Sequence, residues 1–234
     1  MYKREACGII TKSNSSAFNA AHVDALGAPG ACAGLAALGV PKDIFVCVDP
    51  CGGGASAMAI ATGVVTVADA LVIVGADAMT VTTDDELERF LHAHLERVRD
   101  VRPLANSRII LIIERNYGGA VLASRIANAC APYAPIAVMS EDGAGKLQRA
   151  GVVTTHQVKE RCRVEFARLL RTEKVKFYHP FASASASTPQ DICAQLRAYH
   201  FAVKEGDDTA GRGPKLYLTG KGTCARARRR SSQI

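Results

Sequence analysis

Two carboxylates of this 234-residue chain stand where apolar runs stop: Asp49 ends "IFVCVD", and Glu114, 65 positions later, ends "RIILIIE". Each is followed by a glycine turn, "PCGGG" after the first and "RNYGG" after the second. Carboxylates that close neighbouring strands of one sheet meet at the same edge, where their hard oxygens can hold divalent cations. Two such ions about 4 Å apart can activate a water and stabilise the leaving oxygen in phosphodiester cleavage. A plainer reading competes: strand ends carry acids because the chain is leaving the core. It explains one acid readily, and two with matching glycine turns less well.

The surrounding residues narrow the chemistry. Gly52, Gly53 and Gly54 let the backbone after Asp49 approach a ligand or a neighbouring strand closely. "CGGGAS" lacks the lysine and spacing of a phosphate-cradling P-loop, which argues against nucleotide binding. Arg115 and Asn116 stand beside Glu114, where they can contact a phosphate, although Arg115 also reads as a solvated surface charge. The six histidines show no metal-ligand spacing, and His92 and His94, two apart on a helix, face different ways. Ser124 lies inside an apparent helix without the Gly-x-Ser-x-Gly elbow of a hydrolase nucleophile. Eight cysteines are scattered singly with no CxxC pair, which reads as reduced, mostly buried thiols rather than a zinc site or a disulfide framework.

The elements that must position the two acids follow from periodicity. "IFVCVD", "SAMAIATGVV" and "ALVIVGADAMTV" read as three strands in a meander. "TTDDELERFLHAHLERVRDV" changes to helical period, with Leu87, Phe90, Leu91, His94, Leu95 and Val98 on one face and Thr83 or Asp84 as N-cap. "SRIILIIERN" is a buried strand, "YGGAVLASRIANACA" a helix after a glycine turn, and "PIAVMSED" a strand that should pair in parallel. "THQVKERCRVEFARLLRTEK" is an amphipathic helix and "VKFYH" a short strand; "FASASASTPQ" is a low-complexity loop. "DICAQLRAYHFAV" reads as a helix capped by Thr188, and "KLYLT" as a last strand. Three antiparallel strands, helix, strand, helix, strand and further helices is the order of a ribonuclease H-like fold, an α/β domain with a mixed central sheet.

Composition is ordinary for a globular chain, 48% hydrophobic and 22% charged. The net charge of +7 suggests an acidic partner, but four of those charges are Arg226, Arg228, Arg229 and Arg230 of the tail "CARARRRSSQI". No apolar stretch approaches the ~20 residues needed to cross a bilayer, and "MYKREACGII" lacks the apolar centre of a signal peptide, so the chain reads as intracellular. Residues 1–43, rich in Ala, Gly and Ser, read as a weakly structured lead-in or the remnant of a preceding domain. Residues 44–223 form the domain proper, and 224–234 a basic tail.

"FVCVDPCGGGASAMAIATG" followed by "IILIIERNYGGAVLASRIANA" resembles the nuclease domain of the viral DNA-packaging terminase large subunit of herpesviruses and tailed phages. In that family the first strand ends in a metal-binding aspartate, matched by Asp49, and a later strand in a glutamate with asparagine or glycine close behind, matched by Glu114 and Asn116. "LYLTGKGT" resembles the family's Gly-Lys element and points to Lys221 as a DNA contact. The resemblance implies an endonuclease that uses two Mg²⁺ or Mn²⁺ ions to cut concatemeric double-stranded DNA during genome packaging. It implies other terminase subunits and the capsid portal as partners, no membrane, and a place in the host nucleus or, for a phage, the host cytoplasm. One departure stands out: the family's third acid follows the Gly-Lys, and here "GTCARARRRSSQI" carries none. Asp142, Asp191, Asp207 and Asp208 remain as candidates for that ligand, none at the family's position. Two other readings share the motifs: a junction-resolvase type of nuclease, and a DNA- or partner-binding module whose metal site has eroded.

Overall fold

The computed structural model describes residues 17–28, 33–34, 39–50, 57–101, 104–116, 118–141, 148–203 and 216–219. The Gly52–Gly54 turn, Asp142, Asp207, Asp208, Lys221 and the basic tail lie outside the described residues. Before the first strand, α1 (Ala20–Leu26) is capped by Asn19, whose side chain accepts from the Ala21 amide at 2.9 Å. In β1 (Asp43–Asp49) Ile44, Val46 and Val48 are buried, while Cys47 and Asp49 look out from the opposite face. β2 (Met58–Val65) and β3 (Leu71–Met79) complete an antiparallel meander in which each strand pairs with the next.

α2 (Asp84–Arg99) begins at Thr83, whose hydroxyl accepts from the Glu86 amide while the Glu86 carboxylate accepts from the Thr83 amide. This reciprocal cap satisfies two amides that the helix leaves open, and three acids in the first turn suit the helix dipole. Its buried stripe is the one that periodicity predicts, Leu87, Phe90, Leu91, His94, Leu95 and Val98. β4 (Arg108–Ile113) then lies beside β1 in parallel, and α3 (Gly119–Ala129) follows from Gly118, which holds φ +66°. A Cβ at Gly118 would stand 2.6 Å from the Leu122 side chain, so both the turn and the helix start need glycine.

The rest of the chain closes the sheet at both edges. β5 (Ile136–Ala137) extends it beyond β4, while β6 (Met139–Glu141) pairs with β7 (Gln148–Ala150) in a separate hairpin. After α4 (His156–Arg171), β8 (Val175–Ala182) runs parallel to β3 at the far edge. A bulge where β3 meets β8 brings Gly75 against Ala182, whose carbonyl oxygen would be 2.1 Å from a Cβ at that position. α5 (Pro189–Ala198) is capped by Thr188 with Asp191, and β9 (His200–Val203) pairs antiparallel with β10 (Leu216–Thr219). The main sheet has the order β5-β4-β1-β2-β3-β8. It is the mixed sheet of a ribonuclease H-like fold with one strand added beyond the meander.

Two sequence expectations change. "PIAVMSED" is not one strand: after the Val138 amide bonds the Leu111 carbonyl at 2.8 Å, the chain leaves the sheet to pair with β7. The last helix stops at Ala198, because Tyr199 is extended (φ −77°, ψ 109°) and the apolar run that follows finds a ladder partner in Leu216–Thr219. Phe18, Val23 and Leu26 join Leu170, Phe177 and Cys193 in a second core that ties α1, α4 and α5 to β8.

The main core fills the opposite face, where Ile44, Val46, Ile60, Leu111 and Ile113 meet Leu91, Leu95 and Ile126 of α2 and α3. Each such fully buried aliphatic side chain contributes about 1.5–3 kcal/mol. Between β8 and β4 the face of the second core stays open. There Cys47, Ala59, Ala61 and Ala78 are exposed.

Candidate active site

The parallel register pairs Val48 with Ile113, so the next residues, Asp49 and Glu114, stand side by side on the open face. The Glu114 amide donates to the Val48 carbonyl at 2.9 Å. On its other flank a short extended segment bridges it at Val152, whose amide donates to the Ile113 carbonyl at 2.7 Å. This segment delivers Thr154, whose hydroxyl donates to Glu114 Oε1. Asn116 in turn fixes Thr154: its Nδ2 donates to the Thr154 carbonyl (2.8 Å) and hydroxyl (2.9 Å), and its Oδ1 accepts from the Thr154 amide (3.0 Å). Thr155 caps α4, and one turn later Lys159 reaches back so that its Nζ lies 2.9 Å from Glu114 Oε1.

The two carboxyls lie near enough for each to perturb the other. Partial burial, then the charge of Glu114, pushes the Asp49 carboxyl up to about 6, and Lys159 offsets only part of the effect. Glu114 goes the other way. Burial would raise it, but Thr154 and Lys159 outweigh burial and hold it below the usual carboxylate range. Below about pH 6 the pair therefore holds one proton, carried by Asp49, with Glu114 ionised. Glu114 and Asp49 keep Lys159 charged against the cost of its own burial.

This donor set suits one hard divalent cation, since replacing the shared proton leaves two carboxylates side by side and facing a cleft. A second ion finds less. Among the described residues no group of three His, Cys, Asp or Glu converges as a metal site. Asp191, a sequence candidate for the third ligand, instead accepts from the Thr188 amide (2.9 Å) and hydroxyl (2.7 Å) at the start of α5. Two clefts meet at Glu114. One of about 500 Å³ runs along the small residues of the open face; another, of about 590 Å³, lies between α4 and α5 and is lined by Phe18, Phe166 and Tyr199.

A second polar cluster lies between the sheet and α2. His94 Nδ1 is 2.6 Å from Asp77 Oδ2, and its Nε2 is 2.8 Å from the Thr62 hydroxyl, with all three residues buried. The other Asp77 oxygen accepts from the Ser183 hydroxyl (2.7 Å), the Ser185 amide (2.6 Å) and the Ser185 hydroxyl (2.7 Å). Burial would push the Asp77 carboxyl up, but the bonds from His94 and the two serines prevail and hold it well below the usual range. An ionised carboxylate only accepts, so Nδ1 of His94 carries the proton in this pair.

Of the residues proposed from sequence, Asp49 and Glu114 come together, and Asn116 joins them through Thr154. Arg115 is only 7% exposed. Lys221 lies outside the described residues. Thr154, Lys159 and the Asp77–His94–Thr62 cluster were missed. "TTHQVK" does hold a signal for the first two, because one threonine suffices as the cap, leaving a second hydroxyl and a lysine that points back past the helix start. Cys47 and Cys162 are exposed, against the expectation of mostly buried thiols, whereas Cys130 and Cys193 are buried. No helix among the described residues is long and apolar enough to cross a membrane.

No protein-family model and no curated protein sequence matches the chain. Solved structures do. The human cytomegalovirus terminase nuclease domain, Mn-soaked with an inhibitor bound, superposes with a TM-score of 0.60 at 12% identity over 76% of this chain and 86% of that one. The same domain in another structure gives 0.60 at 11% identity, over 78% and 86%. A third, Mn-soaked, gives 0.58 at 13% identity, over 68% and 74%. With its sheet order, its paired strand-end carboxylates and this likeness, the chain has the ribonuclease H-like fold of a viral terminase nuclease domain.

Proposed function

We propose that this chain is the metal-dependent endonuclease domain of a viral DNA-packaging terminase large subunit, cutting concatemeric double-stranded DNA. The observation that carries the reading is the placement of Asp49 and Glu114 side by side at adjacent ends of parallel strands, in a fold shared with the cytomegalovirus terminase nuclease domain. Asp49 and Glu114 would hold Mg²⁺ or Mn²⁺, which supplies a Lewis acid for the phosphate and lowers the pKa of a bound water. The protein's own part is positional. Thr154 and Asn116 fix Glu114, the clefts on either side admit a backbone, and Asp49 gives up the shared proton as the cation is taken up. Lys221 stays in this reading as a phosphate contact, whereas Asn116 acts by bracing Thr154. Other terminase subunits and the portal are the partners of such a domain, in an infected cell's nucleus or cytoplasm.

The test is cleavage of supercoiled and linear plasmid with Mn²⁺ or Mg²⁺ by the parent, Asp49→Asn and Glu114→Gln. Metal-dependent cutting by the parent that both substitutions abolish is the expected result. A folded parent that leaves both plasmids intact refutes the reading, and a strong preference for branched over linear duplex transfers it to a junction resolvase.

A further inference from the structure

The two clefts that meet at Glu114 differ in kind. The one along the open face is walled by small side chains, Ala59, Ala61 and Ala76 among them, which leave room for a backbone. The one between α4 and α5, about 590 Å³, is walled by Phe18, Phe166 and Tyr199. Its rings stand in fixed relation: Phe18 meets Phe166 edge-on with centroids 5.4 Å apart, and lies against Tyr199 at 6.0 Å with planes 25° apart. Tyr199 stands where α5 gives way to extended backbone, and its carbonyl accepts from the Ala17 amide at 2.8 Å, so main chain as well as packing sets the ring. Phe166 and Tyr199 are only partly buried, an aromatic platform at the edge of the second core. The rim is polar. Gln195 is exposed on α5 with an amide that both donates and accepts. Burial pushes the Tyr199 phenol up, and the nearby charges of Lys159 and Arg163 offset part of that rise. Glu114 and Thr154 line the same cleft, so it opens on the carboxylate pair. The edge of a core accounts for the rings but not for a polar rim shared with the carboxylates.

We propose that this cleft takes one unpaired nucleobase of the strand being cut, stacked on Tyr199 and Phe166 while the attached phosphate lies at Asp49 and Glu114. This rests on the nuclease reading and adds to it a preference for locally unpaired DNA. Three properties choose the occupant. Aromatic rings stack on the π-face of any base. A volume of about 590 Å³ is ample for one base and its sugar. The cations and the amide at the rim suit a polar edge joined to a phosphate, whereas an acyl chain would leave them without use. A base still paired in duplex cannot enter a slot between two helices, because its faces and its edge are already engaged. It must first leave the stack, which costs least where pairing is already lost.

The experiment measures binding of the full 234-residue chain to a short duplex carrying one extrahelical 2-aminopurine, to the fully paired duplex and to a four-way junction. Ca²⁺ replaces Mn²⁺ so that the DNA stays uncut. The parent should bind the bulged duplex about tenfold more tightly than the paired one and quench its 2-aminopurine. It should treat the junction, whose bases are all paired, as ordinary duplex. Tyr199→Phe keeps the ring and should keep both effects. Tyr199→Leu should lose the preference and the quench together while binding paired duplex as the parent does; Phe166→Leu serves the same purpose if that variant does not fold. Equal affinity for bulged and paired DNA, fluorescence that does not fall, or a quench that survives in the leucine variants overturns the inference. Plasmid cutting with Mn²⁺ alongside any of these leaves the nuclease reading standing. Selective, quenched binding by a parent that cuts neither plasmid nor bulged duplex keeps the base cleft and removes the nuclease.

Discussion

Asp49 and Asp77 are aspartates on the same sheet, two strands apart, in opposite circumstances. Asp77 is buried and surrounded by donors: His94, Ser183 and Ser185 satisfy both of its oxygens, and the network holds it ionised. Asp49 opens onto a cleft and has another carboxyl as its neighbour, so its pKa rises to about 6. The first arrangement is complete and has nothing left to bind; the second is incomplete, and a cation would complete it. In this fold a satisfied carboxylate serves the structure, and a crowded one marks where a ligand is expected.

That contrast can be broken or sharpened by four measurements. The largest effect should be on plasmid cutting, where Asp49→Asn and Glu114→Gln each lower the rate at least a thousandfold while circular dichroism stays that of the parent. Next is Asp77→Ala, which strands the donors of His94 and Ser185 inside the protein and should cost about 3 kcal/mol in urea unfolding. If that loss is below about 1 kcal/mol, the buried network is not structural. Asn116→Ala should reduce cutting about tenfold with little change in stability, because it frees Thr154 and through it Glu114.

The smallest effect carries a sign. The folded pKa of Asp49 lies above its ordinary 3.8, so the folded state gains from protonation, and that gain is complete below pH 3.8 and lost as pH rises through 6. Asp49→Asn should therefore melt about 3 °C above the parent at pH 7.5, and the difference should vanish near pH 4. Equal melting temperatures at pH 7.5 would mean that the carboxylate pair is not crowded in solution.

Much of this was legible in the sequence, and what was not has physical reasons. The apolar run "IFVCVD" and the six-residue stripe of α2 are local signals, and the structure has the strand and the buried stripe where they are read. Thr83 and Thr188 declare their helices because a capping box is written within four residues. The missed parts depend on distance. Asp77 and Ser185 are 108 residues apart, and nothing in the run "SASAS" says that a buried carboxylate waits for it. The end of α5 was misplaced because residues 200–203 are decided by a ladder partner at 216–219, not by their own helical period. Asp49 and Glu114 were found early since each ends its own strand, whereas Lys159 enters by the way α4 is docked.

The parallel pairing of β1 with β4 also has a consequence for synthesis. A hairpin between β1 and β2 can form as soon as both leave the ribosome, but β4 must wait for β3 and α2 to be made and folded across. A nascent chain that already displays a finished meander thus carries Asp49 alone. The carboxylate pair comes into being with the crossover, so chemistry that needs both acids is withheld from incomplete polypeptides and from any fragment ending before residue 114.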